Sequence, residues 1–109
     1  MKRELTLILE NCEKSTQTLE KLKSEGFNAT IISTDSLRHA VESSPNDQHF
    51  YTLRHYEKSE LLSSILCVFI IDEKKIETLK NIVREYTNNF KDTKGIMYSR
   101  SVEDYEGSF

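Results

Sequence analysis

Short apolar runs alternate with helical periods along the 109 residues of the chain. The run LTLIL (Leu5–Leu9) is bounded by charged residues and predicts a buried strand. A helix is expected next, with Ser15 as its cap, two leucines on one face and Gly26 as its C-terminal stop. The segment NATIIST (Asn28–Thr34) predicts a second strand. The first third of the chain is therefore expected to form a β-α-β unit.

The second half repeats this order with a clearer pattern. ILCVFIID (Ile65–Asp72) is almost continuously apolar and rich in β-branched residues, and it gives the clearest strand prediction in the chain. Glu73–Tyr86 carries apolar residues at helical spacing, with Asp72 expected as the cap, and Gly95–Val102 predicts the last strand. Two such units form an α+β, ferredoxin-like βαββαβ sandwich, in which a four-stranded antiparallel sheet carries both helices on one face. The other face would be bare, and small proteins often cover such a face with another subunit or a ligand.

The middle of the chain has a weaker pattern. Residues 35–60 begin with a short helical period and pass through turn-forming residues around the only proline, Pro45. They continue into HFYTLRHY (His49–Tyr56), where aromatic and polar residues alternate as in a strand or a hairpin arm. We therefore expect a single domain over residues 1–109, with an insert at about 35–60.

Composition narrows the classes of function. A net charge of −3 argues against a general nucleic-acid-binding surface, which requires a basic face. No segment approaches the roughly 18 apolar residues of a membrane span, so we expect a cytoplasmic protein that does not insert into a membrane. Cys67 lies in an apolar run and is expected to be a buried, reduced thiol. The histidines lack metal-ligand spacing and no catalytic motif is present, so neither a metal site nor enzymatic activity is expected.

Three groups of polar residues are candidates for binding a phosphorylated ligand. The loop Lys91–Gly95 offers two ammonium groups and several backbone N–H donors, although the same residues are common in solvated turns. At the end of the second strand, Ser33–His39 combines hydroxyl groups with Arg38, which can contact a nucleotide, although Asp35 or Ser36 can instead cap a short helix. Arg100 lies in the last strand, where it either reaches a ligand cleft or a carboxylate of a neighbouring subunit, or lies on an exposed strand face.

The sequence also resembles a known family. VFIIDEKKIETLKNIVREYTNNFKDTKGIMYSRSVED (Val68–Asp104) is similar to the second half of PII-like signalling proteins: a strand ending in an acidic residue, a helix, a loop rich in Gly, Asp and Lys, and a final strand. NATIISTDSLRHA (Asn28–Ala40) resembles the region where that family begins its long T-loop. The family's Gly-Asp-Gly-Lys loop falls on Lys91–Lys94, where Asp92 and Lys94 match and both glycines differ. The family's C-terminal Arg-x-Arg has no counterpart, so the resemblance is to a divergent member.

The resemblance implies a homotrimer that binds an adenine nucleotide, such as ATP, ADP or AMP, in each cleft between subunits. It implies no catalysis and no covalently bound cofactor. Residues 35–60 would be the T-loop that regulates a membrane transporter or a metabolic enzyme, with Arg38 coupling the ligand to that loop. The resemblance and the three groups of polar residues together give the expected nucleotide-binding residues. These are Thr30, Ser33, Thr34, Ser36, Arg38, Lys91, Asp92, Thr93, Lys94, Gly95 and Arg100.

Other proteins of ferredoxin-like fold provide alternatives. A regulatory module of ACT type would bind an amino acid between the subunits of a dimer or tetramer, with no dependence on phosphate. A glycine at the first strand–helix turn would favour it, and ENCEK (Glu10–Lys14) has none. A metal-responsive trimer would need clusters of metal ligands, and an acylphosphatase-like enzyme would need an arginine-bearing loop after the first strand. The chain has neither feature.

Overall fold

The computed structural model describes residues 1–35, 37, 41 and 63–108, and the expectations for Ser36, Arg38 and most of the 35–60 insert lie outside these residues. The described residues form an α+β fold of four strands and two helices. These are β1 (Lys2–Glu10), α1 (Glu13–Ser24), β2 (Thr30–Thr34), β3 (Ser64–Asp72), a 3-10 turn (Glu73–Lys75), α2 (Ile76–Thr87) and β4 (Gly95–Val102).

The strands form one antiparallel sheet in the order β2-β3-β1-β4. β1 lies between β3 and β4, so Leu5 is opposite both Phe69 and Ser99. This order, with both helices packed on the same side, is the ferredoxin-like βαββαβ arrangement predicted from the sequence.

The core lies between the sheet and the helices. Alternate side chains of the two central strands face the helices because successive residues of a strand point to opposite sides of a sheet. Leu5, Leu7 and Leu9 of β1 are fully buried, and they meet apolar residues of both helices, including Leu22 and Leu79. Cys67, on the same side of β3, is a free and buried thiol, as predicted, and its burial raises its pKa to about 11.

The ends of the strands are set by backbone pairing as well as by the runs of apolar residues. β4 spans Gly95–Val102, as predicted. β1 extends beyond its apolar run to Lys2, because Lys2 pairs with both Asp72 and Val102 and continues the ladder on both sides. A polar residue at the end of a strand can thus remain in the sheet while its side chain reaches water.

Helix α1 differs from the prediction at its start and agrees with it at its end. The predicted cap at Ser15 is wrong: the N-cap is Cys12, which makes no side-chain cap hydrogen bond, and the Ser15 hydroxyl donates to the Glu10 carbonyl at 2.5 Å. The predicted stop at Gly26 is confirmed. Its φ is 88°, and Phe27 N–H donates to the Leu22 carbonyl at 3.0 Å, as in a Schellman motif.

The expected cap of the second helix is confirmed in position but not in contact: Asp72 is the N-cap of the 3-10 turn that leads into α2. Asp72 makes no side-chain cap hydrogen bond, because its carboxylate pairs with Lys2 Nζ at 3.1 Å across the sheet. Lys2 accordingly holds the pKa of Asp72 below its usual range. The 3-10 turn Glu73–Lys75 then leads into α2.

The sheet face away from the helices is rich in apolar side chains that remain accessible. Ile32, Ile70, Ile96 and Tyr98 are 51%, 41%, 55% and 50% exposed, and Val68 lies among them. We call this surface the open face. It fits the prediction that the helices cover only one side of the sheet.

Candidate functional site

The candidate site lies at one end of the sheet, which we call the loop end. Here β1 ends at Glu10, β2 ends at Thr34, β3 begins at Ser64 and β4 begins at Gly95. Glu10 is directly opposite Ser64, and Ser64 is opposite Thr34, so the strand ends form a row. The loop Lys91–Lys94 enters β4 at this end.

A left-handed turn leads from α2 into that loop. Asn88, Asn89 and Phe90 have φ values of 52°, 56° and 62°, a conformation that costs roughly 1–2 kcal/mol per residue with a β-carbon. Asn89 N–H donates to the Arg84 carbonyl at 2.8 Å, which closes a Schellman motif with an asparagine in the usual glycine position. The chain leaves α2 abruptly and turns towards β1.

Thr87 holds this turn from inside the protein. Its hydroxyl donates to the Val83 carbonyl at 2.7 Å and accepts from Phe90 N–H at 3.1 Å, and its side chain is fully buried. The Thr87 carbonyl accepts from Asp92 N–H at 3.1 Å. One buried threonine therefore satisfies backbone groups on both sides of the left-handed residues.

The loop side chains divide into exposed charges and one buried hydroxyl. Lys91, Asp92 and Lys94 are exposed. Thr93 is fully buried and its hydroxyl contacts Cys12 Sγ at 3.8 Å. The Thr93 hydroxyl therefore anchors the loop to the start of α1 and is directed away from solvent.

Gly95 is required by close packing against β1. A β-carbon at this position would overlap the Ile8 carbonyl oxygen and lie 2.8 Å from Leu9 Cδ2. The absence of a side chain lets the loop meet the sheet edge without displacing the β1 backbone.

Glu10 binds the last residue of the loop on two sides. Its N–H donates to the Lys94 carbonyl at 2.9 Å, and its carboxylate accepts from Lys94 N–H at 3.0 Å. Two other loop amides are used within the turn: Lys91 N–H donates to the Asn88 carbonyl, and Asp92 N–H donates to the Thr87 carbonyl, both at 3.1 Å. Of these three donors, only that of Lys94 is held by a side chain.

Cys12 completes the contacts between the loop and α1. Partial burial acts to raise its pKa, but hydrogen bonds from Ser15 and Thr93 and from the backbone outweigh it, so the pKa of Cys12 is lowered. The Cys12 Sγ to Ser15 Oγ distance is 3.5 Å. This thiol is half-buried, in contrast to Cys67 in the core.

The second predicted cluster lies at the end of β2. Thr34 is half-buried on the open-face side, in the row that includes Glu10, and Ser33 is exposed on the other side of the strand. Asp35 accepts a hydrogen bond from the Ser63 hydroxyl, and the Ser63 carbonyl accepts from Asn11 N–H at 2.7 Å. Asp35, which follows β2, and Ser63, which precedes β3, are thus bound to each other, and Ser63 is also bound to the β1–α1 turn.

The two clusters share an end of the sheet but do not meet. β2 and β4 are opposite edge strands, so Thr34 and Lys94 are separated by three strand spacings, or about 14 Å. Glu10 and Ser64 lie between them. A ligand that contacts both clusters must either cross this row or lie between two copies of the chain.

Arg100 and Thr30 lie elsewhere on the open-face side. Arg100 forms a two-point contact with Glu4, through Nε and Nη2 at 3.2 Å each, so its carboxylate partner is within the same chain. Ser99 and Ser101, on the other side of β4, accept hydrogen bonds from Arg3 at 3.2 and 3.3 Å. These three polar residues of β4 are therefore paired with side chains of the neighbouring strand β1.

A cavity of about 890 Å³ lies at the opposite end of the sheet from the candidate loop. Thr30 and Val68 form part of its wall, together with Lys2, Lys75 and Tyr105 of the C-terminal segment. Of the predicted site residues that the structure describes, only Thr30 contributes to this cavity.

No group of three or more His, Cys, Asp or Glu residues in the described part of the chain is arranged to hold a metal ion, and all three histidines lie outside it. Neither described helix is long and apolar enough to cross a membrane.

Comparison with known proteins supports the fold and leaves the ligand open. The chain matches no protein-family model and no curated protein. It is similar in structure to a functionally unknown protein from Pediococcus pentosaceus ATCC 25745, with a TM-score of 0.63 and 10% sequence identity. The match covers 98% of this chain and 97% of that one. At this identity the likeness concerns the fold alone.

Glu10, Asn11 and Ser63 were not predicted as site residues. Each joins segments far apart in sequence: Glu10 contacts a residue 84 positions away, and Ser63 one 28 positions away. One signal for Glu10 was present in the sequence, which is its position at the end of the first apolar run. The end of a strand in this fold lies beside the loops at the same end of the sheet.

Proposed function

We propose that this chain is a divergent PII-like signalling protein that assembles as a homotrimer and binds an adenine nucleotide between its subunits. The observation that carries the proposal is the exposed pair Lys91 and Lys94, on a tightly fixed loop at the start of β4. A fixed loop favours binding because little conformational entropy is lost when the ligand arrives. Two ammonium groups provide the charge that a phosphate chain requires.

The separation of the two clusters favours a site between subunits. Thr34 and the Lys91–Lys94 loop lie on opposite edges of one sheet. An assembly that brings the β2 edge of one protomer to the β4 edge of the next would unite them around one ligand. Residues 35–60 would then leave the site next to Thr34 and pass the signal to a transporter or an enzyme.

The open face favours assembly. Half-exposed isoleucines and a tyrosine on one side of the sheet form the kind of apolar surface that proteins bury against a partner. In the proposed trimer the three open faces would pack around the symmetry axis, leaving the loop end of each sheet beside the neighbouring protomer.

The proposal is tested by isothermal titration of the protein with ATP, ADP, AMP and cyclic di-AMP. We expect saturable binding of at least one of these, weakened roughly ten- to a hundredfold in Lys94→Ala through loss of a charged hydrogen bond. Lys23→Ala, which removes an exposed lysine from α1, is the matched control and should bind as the wild type does. Binding that is equal in both variants would remove the loop from the site.

An ACT-type regulatory module remains the second candidate. The observation that favours it over a nucleotide site is the local charge balance. Asp92 and Glu10 offset the two lysines of the loop, as in a solvated turn, and this reduces the attraction of the loop for phosphate. This candidate predicts a dimer or tetramer that binds a free amino acid and ignores nucleotides. Titration with the twenty amino acids, beside the nucleotide series, separates the two functions.

A further inference from the structure

One backbone N–H donor of the candidate loop, that of Lys94, is occupied by a carboxylate of the same chain. Glu10 Oε1 accepts from Lys94 N–H at 3.0 Å, while the amides of Lys91 and Asp92 donate to backbone carbonyls within the turn. Breaking either of those two bonds would disturb the turn. The Lys94 amide can change partners without disturbing the turn, so among these three amides it is the one available to a phosphate.

The position of the loop does not depend on the Glu10 side chain. The backbone of Glu10 donates to the Lys94 carbonyl at 2.9 Å, and the β1–β4 ladder begins beside it at Leu9 and Gly95. The buried Thr93 side chain and the Thr87 carbonyl hold the middle of the loop. Removal of the carboxylate therefore leaves the loop in place and frees one donor.

We propose that the Glu10 carboxylate is an internal competitor that occupies the phosphate position of the Lys91–Lys94 loop until a ligand displaces it. The inference rests on the proposed function, because it assumes an anionic ligand at this loop. A phosphate oxygen and a carboxylate cannot share one N–H donor without strong repulsion between their charges. Ligand affinity is thus set by how much more strongly the phosphate binds than Glu10 does.

The row of strand ends gives this competition a consequence for selectivity. Glu10 lies opposite Ser64, which lies opposite Thr34, so its carboxylate is between the loop and the base of the insert. A ligand whose phosphate chain extends along this row brings several negative charges close to the Glu10 carboxylate. A ligand with a single phosphate at Lys94 brings only one. The Glu10 carboxylate should therefore lower the binding affinity for ATP more than the binding affinity for AMP.

The test compares three variants by isothermal titration with ATP and with AMP. Glu10→Ala removes both the charge and the acceptor, and we expect ATP to bind about tenfold more tightly than to the wild type. Glu10→Gln keeps an acceptor for Lys94 N–H without the charge and should fall between the two. Glu13→Ala removes an exposed carboxylate from the first turn of α1 and controls for a general change in charge. It should have a much smaller effect.

A measurement without ligand tests the contact itself. Amide hydrogen exchange, followed by NMR, should show Lys94 N–H protected in the wild type and exchanging faster in Glu10→Ala, with the Asp92 amide unchanged. A Lys94 amide that exchanges freely in the wild type would overturn the inference while leaving nucleotide binding untouched.

The outcomes separate this inference from the proposed function. If the wild type binds a nucleotide and Glu10→Ala binds it equally or more weakly, Glu10 is not a competitor and the proposed function stands. If neither the wild type nor Glu10→Ala binds any nucleotide, the proposed function fails and the competition fails with it. Tighter binding in Glu10→Ala, absent in Glu13→Ala, supports both.

Discussion

At the scale of single residues, the same residue type behaves differently according to its surroundings. Cys67 lies in the core beside Leu7, where burial disfavours the thiolate and raises its pKa to about 11. Cys12 is half-buried at the start of α1, where hydrogen bonds from Ser15 and Thr93 outweigh desolvation and lower its pKa. Since the thiolate is the reactive form, the two cysteines should be chemically distinct.

Cysteine labelling tests this difference. Near neutral pH, an iodoacetamide reagent should modify Cys12 much faster than Cys67, and mass spectrometry after partial labelling should locate the adduct on Cys12. Cys12→Ala should abolish the fast phase, and Cys67→Ala, the matched control, should leave it. Equal rates for the two thiols in the folded protein would show that Cys12 is not activated.

At the scale of elements, the helix–loop junction depends on one buried hydroxyl. Asn88, Asn89 and Phe90 adopt the left-handed conformation, which is unfavourable for residues with a β-carbon. Thr87 compensates by accepting from Phe90 N–H and donating to the Val83 carbonyl. The loop proposed to bind phosphate therefore owes its position to a side chain that no ligand would touch.

Substitution of that hydroxyl by a methyl group tests its role. Thr87→Val keeps the shape but leaves Phe90 N–H without its acceptor, and we expect the free energy of unfolding to fall by about 1–3 kcal/mol. Thr78→Val, at an exposed position of the same helix, should change it by less than about 0.5 kcal/mol. Urea unfolding with unchanged m-values is the measurement, and equal stability of the two variants would contradict the account.

Apolar periodicity predicted the elements better than it predicted their ends. The four strands, α1 and α2 lie where Leu5–Leu9 and the other apolar runs indicated, because burial on one sheet face requires that pattern. Ser15 and Asp72 were expected as caps from local spacing, but each is engaged by a more distant partner, the Glu10 carbonyl or Lys2. Local spacing could not reveal the Glu10–Lys94 contact, because only folding brings those residues together.

At the scale of the whole molecule, the open face is the feature that the described fold leaves without a packing partner. Ile31 and Ile32 of β2 allow the two sides of the sheet to be compared, since they are 53% and 51% exposed and point in opposite directions. Ile32 belongs to the open face, and Ile31 lies on the helix side at the edge strand.

This pair provides a matched test of assembly. Ile32→Lys should place a charge in the proposed subunit interface and prevent assembly, whereas Ile31→Lys adds the same charge outside that interface and should leave the proposed trimer intact. Size-exclusion chromatography with light scattering gives the masses. Dissociation by Ile31→Lys alone would assign the interface to the other side of the sheet.

Sedimentation velocity of the protein mixed with ATP tests the proposed nucleotide-binding trimer in a single experiment. Absorbance at the nucleotide wavelength follows the ligand, and interference optics follow the protein. We expect nucleotide to sediment with a species of three times the chain mass. Nucleotide that stays evenly distributed through the cell while the protein sediments, or a protein that sediments as a dimer or tetramer, would contradict the proposed function.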